Sequence, residues 1–191
     1  QLLTTPRGPL WALPTIQDVL VCWFDELTPQ QWFNSFDDAD EAIANRFSTA
    51  HEAASKGELF EWRETPDGRL AEIIVLDQFA RNLFRGDPRS FATDTLALVL
   101  AQEAIAAGDD KRIDPERLAF LYMPFMHSES LLMHEIAEKL FDRPGMEMNL
   151  KSLRSHTKVL QRFSRYPHRN AAVGRQSTAD EIDFLKDGRG F

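Results

Sequence analysis

Cysteine occurs once in 191 residues, so Cys22 has no internal partner and a disulfide framework is excluded. Its place in the run Val19-Leu20-Val21-Cys22-Trp23-Phe24 marks it as a buried, inert thiol. No apolar run approaches the roughly 18 residues of a membrane span, and Pro6, Gly8, Pro9 and Pro14 interrupt the N-terminal apolar residues. A soluble protein without a membrane partner is therefore expected, with the cytoplasm as its default location. Gln1 rather than Met opens the chain, which leaves a removed leading segment open. There is no P-loop, no Gly-x-Gly-x-x-Gly and no serine nucleophile elbow. His134 and Glu138 stand four apart but lack the second histidine of a zinc-protease helix, and no Cys or His cluster completes a tetrahedral site. Neither metal nor cofactor is expected.

Strand evidence is equally thin, because no segment alternates apolar and polar residues between turn signals, and Ile73-Ile74-Val75-Leu76 lies within a longer helical pattern. What is present is helical spacing punctuated by Pro and Gly. It predicts eight helices, from after Thr15 to about Leu27, Asp38 to Lys56, Pro66 to Arg85, and Pro88 to Ala107. A fifth begins at Asp114-Pro115, where Asp caps and Pro takes the first helical position, and Pro124 is expected to break it. The others run from Ser128 to Phe141, from Glu147 to Arg165 with a stop at Pro167, and from a capping box at Thr178. The class is all-α: one domain over residues 1–191, its helices in antiparallel pairs behind an irregular arm at 1–13. Apolar residues make up 43% and include 14 Phe and four Trp, enough bulk for one core.

A second scarcity is local. Between Glu147 and Asp180 there is neither Asp nor Glu, while Lys151, Arg154, Lys158, Arg162, Arg165, Arg169 and Arg175 supply seven positive charges. The whole chain carries −8, so the remainder carries −15. Such separation implies either an anion site or a cationic segment neutralised by acidic helices across the fold. The overall acidity argues against nucleic acid, which it would repel outside a narrow patch. Arg162 and Arg165 complement the negative end of their helix. Arg169 and Arg175 lie past it, near His168 and Asn170, and before the free N–H groups opened by Ser177 or Thr178. Arginine forks match carboxylate or phosphate.

Two further groups invite chemistry. Asp77, Arg81 and Arg85 recur every four residues, flanked by Gln78 and Asn82, a composition that suits a buried polar network better than a solvated stripe. His127 precedes the expected cap Ser128 and adjoins Glu129, which reads either as a satisfied buried histidine or as one placed for proton transfer. His156 falls on the apolar side of its helix, between Leu153 and Phe163.

In order along the chain, Val19 to Phe24, Trp32-Phe33, Leu76 to Gly86, Tyr122 to Glu129 and Arg162 to Thr178 resemble domain-of-unknown-function family 924. The likeness covers most of the sequence. It implies an all-helical fold, described for that bacterial family as tetratricopeptide-repeat-like, an α-α superhelix, and it transfers no catalytic residue or cofactor.

The residues themselves predict a polar pocket for a small anionic ligand. Arg81, Arg162, Arg165, Arg169 and Arg175 would grip it, with Gln78, Asn82, His156 and Asn170 contributing. His127 or His168 would be the acid or base, with Asp77 or Glu129 orienting an imidazole. The alternative is a helical-repeat interaction module whose concave surface takes an acidic peptide, without catalysis. A homodimer is compatible with either.

Overall fold

A computed structural model describes residues 13–186; of the arm expected at 1–13, all but Leu13 lies outside the described residues. Helices account for the regular structure, and among the described residues there is no strand. None of the helices is long and apolar enough to cross a membrane.

Local signals start most of them. The Thr15 hydroxyl accepts from Asp18 N–H at 3.2 Å while the Asp18 carboxylate accepts from Thr15 N–H at 2.7 Å, a capping box that opens α1 (Ile16–Val21). A π-helical turn over Cys22–Glu26 continues it. A short α2 (Pro29–Phe33), absent from the sequence reading, is fastened by Thr28 N–H to the Gln31 side chain at 2.9 Å. Then comes α3 (Asp37–Ser55), whose first turn holds Asp37, Asp38 and Asp40 where the helix dipole favours acids.

The pivot of the fold is α4 (Pro66–Ile74), continued by a π-helical turn over Val75–Phe79 into α5 (Ala80–Leu83). Thr65 caps it, accepting from Gly68 N–H at 3.1 Å. Gly68 is required: a Cβ there would stand 1.9 Å from the Trp62 carbonyl oxygen. Leu70, Ala71, Ile73, Ile74, Val75 and Leu76 are fully buried, and Glu72 among them is buried against Arg63 at 2.7 Å, so this helix sits inside the others. That burial on every side explains an apolar run that is helical rather than extended.

The next helices are α6 (Asp94–Ala106), α7 (Ala119–His127), α8 (Leu131–Phe141), α9 (Glu147–Phe163) and α10 (Ala179–Lys186). Sequence neighbours are spatial neighbours: α6 packs on α7, α7 on α8 and α8 on α9, while α1, α6 and α7 surround α4. One large apolar cluster spans these elements. A smaller one joins Val159, Leu160 and Tyr166 to Phe163 and Phe184.

Several expected boundaries move. Pro124 does not break its helix: Phe120 to Met126 are all buried, and packing holds α7 helical although proline has no N–H for the Phe120 carbonyl. Consequently Ser128 ends α7 and Ser130, not Ser128, is the N-cap of α8. His127 is then the last residue of a helix, not the residue before one. The helix expected over Pro88 to Ala107 is divided into a 3-10 turn at Pro88–Ser90 and α6. Hydroxyls compete with the ladder there, Ser90 donating to the Phe84 carbonyl and Thr93 to that of Leu76 at 2.6 Å. The seventh predicted helix ends at Phe163, before Pro167, because Ser164 turns left-handed at φ 59°.

Candidate functional site

The π-helical turn inserts Asp77 and Gln78 into the interior, where both are buried. Such turns often stand at functional positions. Asp77 Oδ1 lies 2.7 Å from His127 Nδ1, and it also receives Arg81 Nη1 at 3.2 Å and, on Oδ2, Gln78 Nε2 at 3.1 Å. Burial alone would push the Asp77 carboxyl up, but His127, Arg81 and Arg169 outweigh it and hold the group below the ordinary carboxylate range. An ionised Asp77 accepts only, so the imidazole donates from Nδ1 and its Nε2 is the edge left for chemistry. No group among the described residues bonds that Nε2, and the His127 side chain is 16% exposed.

Arg81 reaches across to α6, where both Asp94 oxygens take its fork at 2.8 and 3.0 Å. Asp94 is shared: Arg169 Nη1 stands 3.2 Å from the same carboxylate. Arg169, itself buried, also donates to the His127 carbonyl at 2.8 Å and lies over the rings of Phe91 and Tyr166 at 4.5 and 4.8 Å. Its guanidinium is pulled down by burial and then by Arg81, against Asp94 and Glu129, as two arginines sharing one acid require. Arg175 makes a bidentate pair with Glu129 at 2.8 and 2.9 Å, and Glu129 also accepts from Tyr166 N–H at 2.7 Å. Burial would raise the Glu129 carboxyl, yet these two contacts keep it low. These groups border a cavity of about 270 Å³, whose lining is Asp94, Thr95, His127, Ser128, Glu129, Arg169 and Arg175 together with the apolar Phe91, Leu98 and Val173.

Not every predicted residue comes to this cavity. Asn82 and Arg85 both turn to Asp40 on α3, at 2.8 and 2.7 Å, so the expected stripe divides after Arg81. Arg165 forks onto Glu181 at 2.6 and 2.7 Å, and Asn170 Nδ2 donates to Glu181 at 3.2 Å; both fasten α10. Arg162 is exposed and lies over Phe163 at 4.7 Å. His156 Nδ1 stands 2.8 Å from the Ser152 carbonyl, and His168 packs against Tyr166 with centroids 5.6 Å apart. Burial lowers His156 to about 3 and, with Arg169 and Arg81 adding repulsion, His168 to about 4. At neutral pH both are uncharged. His168 is therefore a packed neutral ring beside the site, and His127 is the imidazole on its wall.

The basic window is for the most part neutralised from outside itself, Arg154 by Glu138, Arg165 by Glu181, Arg169 by Asp94 and Arg175 by Glu129. Asp94, which joins two arginines, escaped the sequence reading because an acid in a first helical turn is ordinary. So did Tyr166, whose hydroxyl donates to the Met126 carbonyl at 2.6 Å and whose neighbour His134 lies 3.1 Å away. Among the described residues no cluster of His, Cys, Asp or Glu is arranged to hold a metal.

An all-helical protein with a polar seam and a histidine–aspartate pair at a small cavity is the class that fold and geometry define. Residues 19–189 match the family described as bacterial protein of unknown function, DUF924, and the chain belongs to that family. Among solved structures it is similar to a protein of unknown function from Agrobacterium tumefaciens, with 35% identity and a TM-score of 0.85, over 91% of this chain and 97% of that one. No curated protein matches it.

Proposed function

We propose that the cavity binds a small anionic molecule, carboxylate or phosphate, and that His127, oriented by Asp77, exchanges a proton with it. The observation that carries this reading is the 2.7 Å contact between His127 Nδ1 and a fully buried carboxylate, with the ring on the cavity wall. A carboxylate behind an imidazole fixes its tautomer and stabilises the imidazolium, the arrangement general acid–base work needs. Arg169 and Arg175 supply donors on the same wall. Since each already faces an acid, charge selectivity rests on His127 more than on a vacant guanidinium. The interaction-module alternative would use exposed apolar side chains, and Phe33, Phe60, Leu132 and Met148 are exposed, but none of them lines the cavity.

A thermal-shift screen of small carboxylates, phosphates and uncharged analogues tests the reading. A ligand at a hundredfold its Kd stabilises by about 2.7 kcal/mol, so an anion that raises Tm in the wild type and not in His127→Gln is the expected result. Equal responses in the two proteins, or no response to any anion, would count against it.

A further inference from the structure

The balance of charge around the cavity sets what it takes. Asp77, Asp94 and Glu129 face Arg81, Arg169 and Arg175, three carboxylates against three guanidiniums, all paired with one another. The histidines nearby add nothing at neutral pH, since burial lowers His134, His156 and His168. The wall is therefore neutral until His127 gains a proton, and with that proton it carries a single positive charge. A dianion such as a phosphate monoester would leave its second charge without a partner, in a site half enclosed by protein where such a charge is costly. Size adds a second limit: about 270 Å³ falls just below the roughly 300–1,000 Å³ of pockets for drug-sized ligands and suits a small one. The lining adds a third, because Phe91, Leu98 and Val173 share it with the charged groups.

Resting on the reading above, we infer that the ligand is a small monocarboxylate with a short apolar chain, taken up together with one proton held by His127. The carboxylate meets His127 and the Nη groups of Arg169 and Arg175, and the chain meets Phe91, Leu98 and Val173. No covalent step is implied.

The test is calorimetric titration of the whole protein with isovalerate, acetate, isovaleramide and inorganic phosphate between pH 7 and 9, repeated in buffers of different ionisation enthalpy. Isovalerate should bind at least tenfold more tightly than acetate or phosphate, and the amide should not bind. Isovalerate binding should take up one proton and weaken as pH rises from 7 to 9, and His127→Gln should show neither effect. Phosphate binding more tightly than isovalerate, or amide and acid binding alike, or affinity independent of pH, would overturn this inference while leaving an anion site standing. Absence of binding by every anion would overturn the site itself. The wild-type ranking decides the matter even where the variant does not fold.

Discussion

Asp77 is where the largest single-residue effect is expected. Its carboxylate is fully buried and compensated by His127, Arg81 and Gln78, so truncation strands an arginine and a histidine in the interior. Removing one member of such a buried set costs about 3–5 kcal/mol, and urea denaturation of Asp77→Ala should show a loss of that size. Asp77→Asn keeps the shape and one acceptor and should cost less, while freeing the His127 tautomer. Much of this set could be read from residue identity. Asp77, Gln78 and Arg81 are an unusual trio for a solvated face, and the conclusion that they form a buried network follows from composition. The partner of Arg169 could not be read that way, because it is fixed by where α6 begins and not by any property of Asp94.

Helices were legible where caps and breakers act locally, and less so where packing overrules them. Thr15, Thr65 and Thr178 each open a helix through a hydroxyl that accepts from a first-turn N–H, and the capping box at Thr178 is the one that the sequence predicts. Pro124 and Ser128 mislead, since the burial of α7 on every side outweighs one missing N–H and shifts the start of α8 by three residues' worth of chain. That shift relocates His127 from a helix start to a helix end, the larger part of what sequence reasoning misplaced at the site. At this scale Gly68 is decisive for the entry of α4. Gly68→Ala drives a methyl into the Trp62 carbonyl, and an overpacking loss of about 1–3 kcal/mol is expected on thermal or chemical unfolding. The attachment of α10 makes a prediction in pH. The Arg165 fork holds Glu181 at about 2 against an ordinary 4.5, so this stabilisation is whole above about pH 4.5 and is lost as pH falls toward 2. Hydrogen exchange should show α10 losing protection across that window, and Glu181→Gln should abolish the step.

Across the whole molecule, predicted site residues are brought to one place from distant stretches: Asp77, Gln78 and Arg81 in and just after the π-helical turn, His127 at the end of α7, Glu129 just past it, and Arg169 and Arg175 beyond α9. The concentration of arginine in the sequence pointed there and left neutralisation by acidic helices open, but it could not say that the acids would come from α6, α8, α10 and the α7–α8 connection. Global acid stability follows from the buried imidazoles. His156 and His168 titrate at about 3 and 4 in the fold and near 6.5 when unfolded, so the unfolded chain takes up protons first. Stability should begin to fall below about pH 6.5, well before the carboxylates respond, and denaturation midpoints measured from pH 8 to 4 check it. The most direct test of the central claim is the nitrogen resonances of the His127 ring at pH 8, with and without isovalerate. The expected result is a proton on Nδ1 and a bare Nε2 in the free protein, with Nε2 moving toward the protonated position as the acid is added. A ring protonated on Nε2 alone, or ring nitrogens unmoved by every small anion, would contradict it.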